Sequence, residues 1–117
     1  MRTPVFLIYR GSSPTLELRM PKPMDPTDTV FLTLAQAGLR VVEYAWNGTP
    51  VQPGDGSLSP APGRDDLLLL RMTQGDTLRL AAGDCELQLR MRDENGIRVL
   101  PLLHGAVGEV RKQEVIS

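Results

Sequence analysis

Between Cys85 and Arg92 apolar and polar side chains alternate without a break. Cys85, Leu87, Leu89 and Met91 fall on one side, and Glu86, Gln88, Arg90 and Arg92 on the other. Successive side chains of a strand point to opposite faces, so a period of two predicts a strand with one dry and one wet face. Asn95-Gly96 follows, residue types that accept the positive φ angles of a tight hairpin turn. The returning strand is expected from near Ile97 to about Val110. Pro101 removes one ladder donor there, which places an edge or a bulge, and Gly105 and Gly108 suggest a bend or a late break. A strand of this kind must bury its apolar face against a second layer, and the rest of the chain has to supply it.

Further strands are legible by the same rule. Val5 to Tyr9 is a short apolar run, and Leu16, Leu18 and Met20 alternate with Thr15, Glu17 and Arg19. In TVFLTLAQ, Val30, Leu32 and Leu34 share one face and Phe31, Thr33 and Ala35 the other. LRVVEYAW is rich in β-branched and aromatic residues. LLLLRM is a continuous apolar run suited to a strand covered on both faces. Residues 47–66 are rich in glycine and proline and read as a long loop, with a short strand around Leu58. One segment departs from the strand pattern. In TQGDTLRLAAGD, Thr73 can cap a helix with Asp76 three residues on, Leu78 and Ala81 or Ala82 fall at helical spacing, and Gly83 can stop it. A short helical turn near residues 73–80 is expected, with Gly75 weakening it by up to ~1 kcal/mol relative to alanine. The pattern predicts an all-β chain of six to eight short antiparallel strands, arranged as a β-sandwich in preference to a small barrel.

The chain has 117 residues, which sets one domain over 1–117 as the expectation. A formal net charge of −1 with scattered basic residues, Arg111-Lys112 apart, argues against nucleic-acid binding. No apolar run approaches the ~20 residues of a membrane helix, and the run at Val5–Tyr9 is short for a secretory signal. A single cysteine excludes an internal disulfide, so the fold does not rely on an oxidising compartment and folding in a cytoplasm is expected, that of a bacterial host if the resemblance given below holds.

The candidate chemistry is thin. In LIYRGSSPTLELRM, Arg10 beside Gly11, Ser12 and Ser13 invites a phosphate cradle. Such a cradle sits between a strand and a helix, whereas a second strand pattern follows here, so a turn between strands is predicted. Cys85 and His104 are the sole residues of their kinds. Cys85 lies on the apolar face of its strand, where cysteine packs as a small hydrophobe. No Gly-x-Ser-x-Gly elbow supports a hydrolase built on His104. Asp55, Asp65 and Asp66 could offer oxygens to calcium, but their spacing matches no EF-hand loop and they read as solvated loop charges. No catalytic residue, cofactor or metal is implied. Tyr44 and Trp46, two apart, share a strand face. They fill a core or a subunit contact, or else form a stacking platform for a sugar or peptide, and are the candidate partner or ligand contacts.

With the strands placed, the chain resembles small all-β structural proteins of phages and prophages of Gram-positive bacteria, in particular the N-terminal domain of the baseplate upper protein. RGSSPTLEL is similar to the Arg-Gly-x-Thr-Pro-Thr opening of those proteins, with Ser13 in place of threonine. TVFLTLAQAG, LLLLRMTQGDTLRL, CELQLRMRDENGIRV and VGEV resemble their later strands, helical turn and hairpin. The loop from Gly48 to Asp65 is longer than in those proteins, and Gly75 stands where an acidic residue is more usual. The resemblance carries over no catalytic residue. It implies a tail, baseplate or fibre-associated protein that forms a homo-oligomer and docks on other virion proteins. The alternative is a monomeric module that binds a carbohydrate or peptide through Tyr44, Trp46 and the long loop.

Overall fold

The computed structural model describes residues 7–20, 23–93, 96–99 and 106–111. Nine strands and one short helix follow in the order β1 (Leu7–Tyr9), β2 (Thr15–Arg19), β3 (Thr29–Gln36), β4 (Leu39–Trp46), β5 (Ser57–Pro60), β6 (Leu67–Arg71), α1 (Gln74–Leu78), β7 (Gly83–Asp93), β8 (Gly96–Val99) and β9 (Ala106–Arg111) among these residues. The all-β expectation holds. The larger sheet runs β1-β9-β7-β3-β4, with β8 also on β7, and the smaller runs β2-β6-β5.

The alternating stretch Cys85–Arg92 lies in β7, at the centre of the larger sheet. β7 pairs antiparallel with β3 from Thr29↔Arg92 to Ala35↔Glu86. Cys85, Leu87, Leu89 and Met91 are buried, while Glu86, Gln88 and Arg92 are exposed. From the facing sheet Leu18, Leu58, Leu68 and Leu70 join the same buried cluster as Val30, Leu32, Leu34, Val42 and Tyr44. Each such aliphatic side chain withdrawn from water contributes about 1.5–3 kcal/mol. Met20, Met24, Met72 and Leu80, from the connections, complete the cluster.

Three expectations are corrected. The strand count exceeds six to eight because the returning arm is two strands. β8 lies beside Arg90–Asp93 and β9 beside Gly83–Leu87, so both line one edge of β7 at its two ends. Gly108 sits inside β9, opposite Cys85; Asn95, Pro101, His104 and Gly105 lie outside the described residues. The sheets are not wholly antiparallel, since β1 runs parallel to β9. LLLL is covered mainly on one side: Leu68 and Leu70 are fully buried, Leu67 and Leu69 half-buried.

The helical turn forms on its predicted cap over Gln74–Leu78, with Arg79 as its C-cap, and Gly83 opens β7 instead of stopping the helix. Thr73 is its N-cap, its hydroxyl accepts from the Asp76 amide, and the Asp76 carboxylate reaches back to the cap, a reciprocal capping box. The Gly11–Pro14 turn joins two strands that belong to different sheets. Arg10 is spent on the helix end: its Nε donates to the Leu80 carbonyl at 2.6 Å and its Nη2 to that of Leu78 at 3.2 Å. The Gly11 amide donates to the Thr77 hydroxyl at 3.0 Å. A cation at a helix C-terminus also meets the negative end of its dipole.

Candidate functional site

The most built polar arrangement among the described residues straddles β4. Glu43 and Tyr44 are neighbours in this strand and therefore point to opposite faces. Glu43 faces outward and Tyr44 inward, yet both are buried, at 1 % and 2 % exposure. The long loop after β4 accounts for this, because it folds back along the strand. The Glu43 amide donates to the Gln52 carbonyl at 3.1 Å, and the Gly54 amide to the Glu43 carbonyl at 3.3 Å, a parallel bridge between Glu43 and Pro53. Arg79 adds a clamp from the helix side, donating to the carbonyls of Pro53 (3.0 Å) and Val41 (2.8 Å).

A carboxylate holds the loop on each side of the strand. Outside, Glu43 Oε1 accepts from the Val51 amide at 2.8 Å. Its Oε2 accepts from the Thr33 hydroxyl at 2.7 Å and from Arg90 Nη2 at 2.8 Å, with Arg40 Nε 3.8 Å away. The Arg90 guanidinium lies 5.4 Å from the centroid of the Phe31 ring, and its Nε is buried without a partner. Inside, Asp76 accepts from the Asp55 amide (2.7 Å), the Gly56 amide (2.9 Å), the Tyr44 hydroxyl (2.8 Å) and, at 3.5 Å, the Thr73 amide.

Close approach explains the glycines of this loop. A Cβ at Gly54 would lie 2.7 Å from Tyr44 Cε1 and 2.8 Å from Asp76 Oδ2, and one at Gly56 would meet the Arg71 carbonyl oxygen. Side chains at either place would push the loop off the carboxylate.

The electrostatics suit structure better than proton transfer. Burial pushes the Asp76 carboxyl up, but the Asp55, Gly56 and Thr73 amides and the Tyr44 hydroxyl together pull it down, and it ends below the ordinary range. The Tyr44 hydroxyl is pushed up, first by burial and then by donating to Asp76. Cys85 is fully buried, and burial pushes its thiol up to about 11, away from a reactive thiolate.

Tyr44 is a core residue, so no stacking platform is formed by Tyr44 together with Trp46; Trp46 is half-buried against the core. Asp66 accepts two hydrogen bonds from Arg64, at 2.8 and 3.0 Å, and is apart from the Asp55 backbone contact. No three His, Cys, Asp or Glu side chains stand together as a metal-ligand group among the described residues. No helix among them is long and apolar enough to cross a membrane.

No sequence pattern marks Glu43 as a buried group. It is a carboxylate amid Val41, Val42, Tyr44 and Trp46, where an alternating strand still expects an exposed residue. The sequence marks Asp76 as a cap; its second role depends on partners 20 to 32 residues away. No family model matches the chain, and no curated protein matches it.

Proposed function

We propose that this chain is a non-enzymatic assembly domain of a phage or prophage, a tail, baseplate or fibre-associated β-sandwich that acts by self-association and by docking on other virion proteins. The observation that carries the reading is the use made of its buried polar groups. Glu43 and Asp76 are each occupied by backbone amides and neighbouring side chains that fix the loop of residues 47–56. A carboxylate so saturated serves as a fastener and has little capacity left for an incoming ligand. Rigid loops on a small β scaffold suit a protein that is read by shape in a symmetric assembly. The binding-module alternative needs an exposed aromatic pair, and the burial of Tyr44 removes half of it.

Light scattering after size exclusion, across a concentration range, tests the self-association. A discrete oligomer of the 12.9 kDa chain is expected. A strict monomer at every concentration overturns that part of the proposal. Mass spectrometry of particles induced from the host strain tests the virion part, which fails if the chain is missing from purified particles.

A further inference from the structure

An unguarded sheet edge is a template for pairing with another chain. Among the described residues β1, β2, β4, β5 and β8 each have one side without a pairing strand, and four of the five are guarded. β4 is covered by its own loop, which occupies the backbone of Glu43, and by Arg79 on the Val41 carbonyl. β5 ends in Pro60, which has no amide to donate, and β8 carries Arg98, a charge that opposes edge pairing. β2 exposes Thr15, Glu17 and Arg19 and is entered from Pro14.

β1 differs. It ends the order of the larger sheet, with β9 as its one pairing partner among the described residues. It carries no charge and no proline, and it closes the apolar run Val5–Tyr9. Leu7 and Tyr9 are 38 % and 43 % exposed, two of the five exposed large hydrophobic side chains among the described residues. The Arg10 amide donates to the Arg111 carbonyl at 2.9 Å. Peptide groups alternate in direction along a strand, so the Ile8 amide also faces β9, and those of Leu7 and Tyr9 face away from it.

We infer that β1 is the strand through which two copies of this chain pair, antiparallel about a two-fold axis at Ile8. This rests on the self-association proposed above and names its surface. In that register Leu7 of one copy stands opposite Tyr9 of the other, an aliphatic–aromatic cross-strand pair formed twice on the outer face. The Tyr9 amide of each copy donates to the Leu7 carbonyl of the other. The Tyr9 carbonyl is already taken by Ser12, through its amide at 3.2 Å and its hydroxyl at 2.6 Å, which limits the ladder. A short ladder is small against the roughly 1,000 Å² of a specific interface, so the pair forms reversibly with concentration. The pairing consumes both β1 edges, so it closes at two copies.

The test compares Leu7→Lys, Tyr9→Lys and the control Leu39→Lys, at the exposed first residue of β4, by light scattering over concentration. Trp46 fluorescence confirms that each variant is folded. The inference expects both β1 variants to raise the association midpoint by about tenfold or more, with Leu39→Lys unchanged. Equal association by wild type and β1 variants overturns the inference and leaves self-association standing. An equal loss in all three variants also overturns it, as non-specific apolar contact. A wild type that is monomeric throughout overturns both. Hydrogen exchange of the unsubstituted chain gives a second reading: the Tyr9 amide must gain protection as concentration rises, and an exchange rate that ignores concentration overturns the pairing.

Discussion

Glu43 and Asp76 perform one task by two kinds of electrostatics. Each is a buried carboxylate that holds the loop against β4, one from the outer face and one from the inner. Glu43 is balanced by cations, with Arg90 at 2.8 Å and Arg40 at 3.8 Å. Asp76 has no ion pair among the described residues; neutral donors, two of them amides of the loop itself, stabilise its charge. The difference follows from position. The outer face borders solvent, where arginine can keep part of its guanidinium wet. The inner face lies between two sheets, where amides already fixed by the fold solvate a charge without bringing a second one into the core.

The largest expected effect is at Asp76. Asp76→Ala leaves the Asp55 and Gly56 amides and the Tyr44 hydroxyl unpaired and removes half of the capping box. Urea unfolding should show a loss of about 3–5 kcal/mol. Glu43→Gln keeps the polar shape but strands Arg90. Because that guanidinium is partly exposed, the loss should be about 1–3 kcal/mol, below that of Asp76→Ala. A reversed order would break the comparison, since it would put the ion pair above the amide cradle.

The pH dependence sharpens it. The Asp76 carboxyl is held below its ordinary value of 3.8 in the fold, so its contribution is fully present above the unfolded value and is lost as pH falls through the folded one. Stability should therefore decline on acidification below about pH 4. In Asp76→Asn that part of the decline should be absent, which parallel urea titrations would show.

The smallest effect has the opposite sign. A Cβ at Gly75 meets Asp55 Oδ2 at 3.4 Å and Thr73 Oγ1 at 3.8 Å, ordinary contacts. Gly75→Ala should stabilise by about 0.5–1 kcal/mol through helix propensity, read as a higher urea midpoint. A loss there would mean that the Asp55–Asp76 side of the latch is tighter than its contacts imply.

Local patterns were legible and distant ones were not. The β7 alternation, the strand at Leu58 and the Thr73–Asp76 cap each depend on neighbours within a few residues, and sequence order carries that information. The parallel pairing of β1 with β9 joins Leu7 to Glu109, and no periodicity encodes a partner so far away. Arg10 shows the same limit: its type suggested an anion, while its partners are carbonyls some 70 residues on. The latch was half visible. Composition marked residues 47–66 as a loop, but not that two carboxylates outside it would hold its first half.

Native-state hydrogen exchange at Val51, Asp55 and Gly56 tests that latch most directly. The Val51 amide reports on Glu43, and the other two report on Asp76. All three should exchange as slowly as amides of β3 and β7, and Asp76→Asn should release Asp55 and Gly56 before Val51. Exchange at the rate of an unstructured peptide in the wild-type chain would contradict the account, because the loop would then be free of both carboxylates.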